Sequence, residues 1–149
     1  MPIQKVMPAV SRLFVGLVFT VFGLNFFLHF LPTPPPPPRA ATFMAGMASG
    51  GYLLELVHAV EVVAGLLLLA NRFVPLALTV LAPVIVNIVA FHLMLAPQGI
   101  PLAVVILALE FYLAWTYRRA FAPMLNASTR PDSAAAVHVR PADDRRNAA

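Results

Sequence analysis

The sequence predicts an all-α membrane protein, an antiparallel bundle of four transmembrane helices with both ends of the chain on the inner side. Three observations carry that expectation. The 149 residues are 60% hydrophobic and 11% charged, with a mean hydropathy of +0.84, whereas soluble domains carry about 25% charged residues. Four apolar stretches, residues 8–31, 52–70, 73–95 and 100–117, each approach the ~20 residues that cross about 30 Å of hydrocarbon at ~1.5 Å per residue. The basic residues are also segregated. With the N-terminus inside, Lys5, Arg12, Arg72, Arg118, Arg119 and the arginines near the C-terminus share one side, and only Arg39 falls on the other, as the positive-inside rule requires.

Each element follows from local chemistry. The first stretch has basic residues near its start, as a signal peptide does, but its apolar part is too long and Pro32 follows it in place of small cleavage-site residues, so it reads as a retained helix. Pro32-Thr33-Pro34 and the prolines through Pro38 exclude helix and predict a stiff extended loop leaving the membrane. Residues 43–51 read as small and flexible, with a short interfacial helix among them. The small residues Gly46 and Gly50 have the spacing of close helix contacts but lie outside the best span. Asn71-Arg72 makes a polar turn, Pro75 suits the first turn of the third span, and Pro83 should kink that span by freeing the carbonyl of Thr79. Ala96-Pro97-Gln98-Gly99 is the next turn, and Trp115 and Tyr117 close the fourth span at interfacial depth. Residues 1–125 thus form one membrane domain, and residues 126–149, rich in Ala, Asp, Arg and Pro, read as a disordered cytoplasmic tail.

Composition also removes classes of function. With no cysteine, disulfides, thiolate metal sites and a dithiol relay within this chain are excluded. The formal charge of +4 comes from residues that flank apolar segments or lie in the tail. No basic helix face interleaved with aromatics is present, so nucleic acid is not an expected partner.

What a mere membrane anchor would not carry is the run Glu55-Leu56-Val57-His58-Ala59-Val60-Glu61. An ionisable side chain at the bilayer centre costs about 2.5–3.5 kcal/mol on insertion scales, against roughly 0.3–0.6 kcal/mol returned by each Leu or Val. Eleven Leu and Val between positions 53 and 69 just sustain insertion. Counting along the four spans puts Asn25, His29, Glu55, His58, Asn87 and His92 in the outer half, with Glu61 and Glu110 near the midplane. The inner half is apolar except for Arg12 at its edge. A polar pocket opening outward is the expectation, with Glu61, His29, Asn87 and Asn25 as its principal members and His92, His58 and Glu55 behind them. Helical phase limits the set: Glu55, His58 and Glu61 spread over about 120°, and Asn87 and His92 stand about 140° apart. Plainer readings accompany each residue. The asparagines serve as interhelical hydrogen bonders, His29, His92 and Glu55 reach for the interface, and Glu110 pairs with a histidine or with Arg12.

The same residues carry a family resemblance. Residues 13–32, with Gly16, Phe22-Gly23-Leu24-Asn25 and His29-Phe30-Leu31-Pro32, resemble the first helix of the DoxX family. Ser49-Gly50-Gly51-Tyr52, Glu61 with Gly65-Leu66-Leu67-Leu68-Leu69, and Arg72 continue the likeness. So do Pro75-Leu76-Ala77-Leu78, Ala82-Pro83, Asn87-Ile88 and His92, and the whole spans about residues 8–125. The resemblance implies a small four-helix protein of the bacterial inner membrane. Some relatives serve as membrane subunits of a thiosulfate:quinone oxidoreductase or accompany other redox systems. Any thiol chemistry would fall to a partner, since this chain has no cysteine.

The leading expectation is therefore a membrane redox subunit holding a quinone-like ligand. Such a ligand needs an apolar slot and a His or acid to bond and protonate its oxygens, the roles given to His29 and Glu61, with Asn25 and Asn87 orienting. The alternatives are a non-catalytic assembly or lipid-binding protein and a small-solute or proton-coupled carrier. Against the carrier stand the lack of an inverted repeat and of any inner polar path. Membrane lipid, a redox partner protein and a second copy of the chain are the implied partners. No metal site is expected. Glu55-x-x-His58 has di-iron spacing but lacks the second pair, and haem ligation by His29 and His92 is a lesser reading.

Overall fold

The computed structural model describes residues 3–128, and all regular structure among them is helical, with no strand. In chain order the α-helices are α1 (Ile3–Leu28), α2 (Pro38–Ser49), α3 (Leu53–Leu69), α4 (Val74–Met94), α5 (Ile100–Thr116) and α6 (Arg118–Phe121). A 3-10 turn at Pro97–Gly99 precedes α5, and another, Ala122–Leu125, follows α6. The tail expected from residue 126 lies, from residue 129 onward, outside the described residues.

The helix ends follow from specific side chains. α1 stops at Leu28, three residues before the end of its apolar stretch, because His29 turns left-handed (φ 52°). The Asn25 side chain then engages the chain beyond: its Oδ1 accepts from the Leu31 N–H at 2.6 Å and its Nδ2 donates to the Leu31 carbonyl at 3.4 Å. The proline run stays extended up to Pro37 (φ −53°, ψ 153°). Pro38 then begins α2, in the first turn, where a missing N–H costs no helical hydrogen bond. The expected short helix therefore starts five residues earlier than residue 43. Gly51, at φ +73°, makes the turn from α2 into α3 in a conformation that L side chains resist, and the two helices stand at 94° to each other.

Three segments, Val6–Leu28, Val74–Met94 and Pro97–Thr116, are long and apolar enough to cross a membrane, or four if the bent pair α2–α3 counts as one span. The 17 residues of α3 reach only about 26 Å at ~1.5 Å each, short of the ~30 Å hydrocarbon layer. Pro83 lies inside α4, which is helical on both sides of it.

The four long helices close a ring in which α1 packs on α3, α3 on α4, α4 on α5 and α5 on α1. Val15 and Phe19 of α1, Ala64 and Leu68 of α3, Leu81 and Ile85 of α4, and Ile106 and Leu113 of α5 meet in one core. Contact between α1 and α3 is closest where glycines remove side chains. A Cβ at Gly16 would lie 3.0 Å from the Gly65 carbonyl oxygen, and one at Gly23 would lie 2.8 Å from Val62 and 3.1 Å from the His58 carbonyl oxygen. Small residues let backbones approach where no hydrophobic drive joins helices. Gly46, which has the expected small-residue spacing, has nothing within 4 Å. Outside the ring, Leu17, Val63, Val86, Phe111 and Trp115 are each more than half exposed, a surface suited to lipid rather than water.

Candidate functional site

Six polar or charged residues are buried among the described ones: Ser11, Arg12, Thr20, Asn25, Glu61 and Glu110. Three of them sit in the α1–α3 interface or at its ends, and they do different work.

Glu61 is the deep member of a pair. Its Oε2 lies 2.8 Å from Nδ1 of His58, one helical turn earlier, with the Glu61 side chain 8% exposed and that of His58 22%. The i, i+3 spacing puts the two side chains on adjoining positions of α3. The contact is a hydrogen bond with one proton held between the two atoms, or an ion pair when His58 is protonated. Phe26 of α1 covers the imidazole, ring centroids 4.2 Å apart at 24°, a stacked contact that shields it from the side of α1. Gly23 makes the approach feasible, since a Cβ there would lie 3.3 Å from the Cβ of Glu61. Glu55, a further turn toward the start of α3, is exposed. Exposure thus falls stepwise along one helix, from Glu55 through His58 to Glu61.

The remaining candidates do not join this pair. His29 is exposed on the left-handed residue after α1, and its backbone N–H donates to the Asn25 carbonyl at 2.9 Å. The hydrogen-bond partner of Glu61 is His58, the residue ranked lower from sequence. Asn25 is occupied with Leu31, a structural duty. Asn87 and His92 point their helix in two directions, as their phase difference requires. Asn87 is exposed and lines a hollow with Phe43 and Met47 of α2 and Val57 of α3. His92 lines a different cavity, between α1, α4 and α5. Nothing here gathers all seven residues into one pocket.

Two charged residues behave in ways the sequence did not indicate. Arg12, one of the two kinds of partner read for Glu110 beside a histidine, instead donates through Nη1 to the Leu68 carbonyl and, at 3.3 Å, to that of Leu69. It thereby caps the C-terminus of α3, where the helix dipole favours a cation, although the Leu68 carbonyl also accepts from the Asn71 N–H at 3.1 Å. Glu110 is buried on α5 with its Oε2 unpartnered, as is the hydroxyl of Thr20 on α1. The signal that could have found the Arg12 cap is its place in the first half of α1, level with the last turn of an antiparallel α3.

Residues 7–94 match the family model described as DoxX, which is more than half of the chain. The chain belongs to the DoxX family. No curated protein matches it, and no solved structure matches it either. Within this DoxX protein the matched segment runs from α1 to the end of α4, so it holds Asn25, His29, Glu55, His58, Glu61, Asn87 and His92. Glu110 and Gly99 lie beyond it, on the part that completes the ring.

Proposed function

We propose that this DoxX protein is a multi-pass protein of the bacterial inner membrane, with α1, α3, α4 and α5 as four antiparallel spans and both termini inside. It serves there as the membrane subunit of a redox system, moving protons to and from a quinone-like ligand. The observation that carries this reading is the His58–Glu61 contact of 2.8 Å beneath Phe26. Inside apolar helices an acid is retained at a cost, and an acid bonded to an imidazole is a place where one proton can be held and handed on. The decreasing exposure from Glu55 to His58 to Glu61 gives the proton a route from the surface inward. Orientation is supported by the basic residues that flank α1, α4 and α5 on one side.

The test is photolabelling of the full chain in lipid nanodiscs with an azido-quinone. Labelling should concentrate on residues of α1 near Phe26 and of α3 near His58, and should fall by more than tenfold in a His58→Phe/Glu61→Gln double variant. Undiminished labelling of that variant refutes the proposal.

One observation favours a second, non-catalytic reading, as a subunit that organises lipid or a partner's helix. A hollow of about 310 Å³ between α3 and α4, lined by Val60, Val63, Leu67, Leu76 and Val80 among others, is wholly apolar. It suits an acyl chain or an apolar helix. Mass spectrometry of what co-purifies in mild detergent separates the two: a soluble redox protein supports the first reading, lipid alone the second.

A further inference from the structure

The cavity between α1, α4 and α5 has a chemistry of its own. It measures about 300 Å³ and is walled by Phe19 and Phe22 of α1, Ile88 of α4, and Leu102 and Ile106 of α5, with His92 as its one ionisable lining residue. From Gly99 to Ile106 it extends along eight residues, seven rises or about 10 Å of helix.

The imidazole is held in place, and its contact selects one tautomer of the neutral ring. Its Nδ1 lies 2.9 Å from the Ala96 carbonyl oxygen, which can only accept, so Nδ1 carries the hydrogen. In the neutral ring Nε2 is then an acceptor, and among the described residues it makes no hydrogen bond. Gly99 makes room for the ring: a Cβ there would lie 2.0–2.7 Å from three imidazole atoms, so any other residue would displace it. The edge of Phe91, with centroids 5.4 Å apart at 82°, supports the ring as well. A single preoriented acceptor in an apolar slot is complementary to one donor on an apolar body.

We infer that this cavity binds a small apolar molecule bearing one hydroxyl group, whose O–H donates to Nε2 of His92. A ligand with only carbonyl oxygens brings no hydrogen to an Nε2 acceptor. The inference is independent of the His58–Glu61 pair and stands or falls without it.

The test uses the full chain in nanodiscs, with 2-naphthol and its methyl ether, 2-methoxynaphthalene, as probes measured by equilibrium dialysis against empty nanodiscs. Naphthol should bind saturably, and the ether, which cannot donate, roughly five- to tenfold more weakly. His92→Phe should lower naphthol to the level of the ether while leaving the ether unchanged, which also shows that the variant is folded. Ile106→Trp, which fills the cavity, should abolish saturable binding of both. The inference is overturned if the two probes bind equally, if His92→Phe leaves naphthol unaffected, if saturable binding survives Ile106→Trp, or if naphthol does not bind saturably at all.

Discussion

Replacing Gly65 by alanine should force α1 and α3 apart. A Cβ at this position would lie 2.5 Å from the Thr20 hydroxyl oxygen, 2.8 Å from the Thr20 nitrogen and 2.9 Å from the Gly16 carbonyl oxygen, where ordinary contact begins at 3.4 Å. The hydroxyl can rotate away, but the other two atoms are backbone. Relieving them requires the helices to separate by about half an ångström along their closest line of contact, which weakens the packing of Val15 and Phe19 on Ala64 and Leu68. Over-packing of this kind costs about 1–3 kcal/mol. The measurement is an SDS titration of the protein in mixed micelles followed by far-UV circular dichroism, with Gly46→Ala as the control, because nothing lies within 4 Å of that position. Gly46→Ala should be neutral or up to ~1 kcal/mol stabilising, as alanine is in a helix. Since the Phe26–His58 stack crosses the same interface, azido-quinone labelling should fall along with stability in Gly65→Ala. A Gly65→Ala protein that unfolds at the wild-type SDS fraction would refute the close-packing account.

Two more perturbations probe the buried charges. Arg12→Met keeps the apolar stem and removes the guanidinium from the Leu68 and Leu69 carbonyls. It should destabilise by about 1.5–3 kcal/mol in the same titration, and an unchanged midpoint would mean the cap contributes nothing. Glu110→Leu should stabilise by about 1–3 kcal/mol, because it replaces a buried oxygen that has no partner; a loss of stability would reveal a partner for that carboxyl.

Much of the fold was legible because apolar runs and prolines are strong local signals. α3, α4 and α5 lie within one residue of their expected bounds, whereas α1 starts at Ile3, five residues before the expected residue 8. Its early stop goes with the left-handed His29 and with the Asn25–Leu31 bond, a loop contact that periodicity does not encode. The start of α2 was placed late because a proline run argues against helix everywhere except at its last member, and Pro38 occupies that place. Within the site, the three-residue step from His58 to Glu61 is visible in the sequence, yet helical phase, which puts His29 on one face with Asn25, ranks His29 higher. What separates the two histidines is where α1 ends, a backbone event at His29 itself. The Gly99–His92 fit had no signal in the sequence. The residues flank a turn, and only the turn's path brings the glycine under the ring.

The right angle between α2 and α3 bears on how a helix too short for the bilayer keeps its acid in place. A rod held only by lipid is free to spin, and a rotation of about 100° would present the next residue in line, Val60 or Val62 where Glu61 now stands. With α2 set crosswise at one end, and its Phe43 against Phe91 of α4 at a centroid distance of 5.9 Å, spinning α3 means sweeping that arm off its neighbour. At the other end, Arg12 holds the carbonyls of Leu68 and Leu69 and resists sliding along the axis. Azimuth and depth of the carboxylate are thus set at opposite ends of its helix, by residues that never touch it.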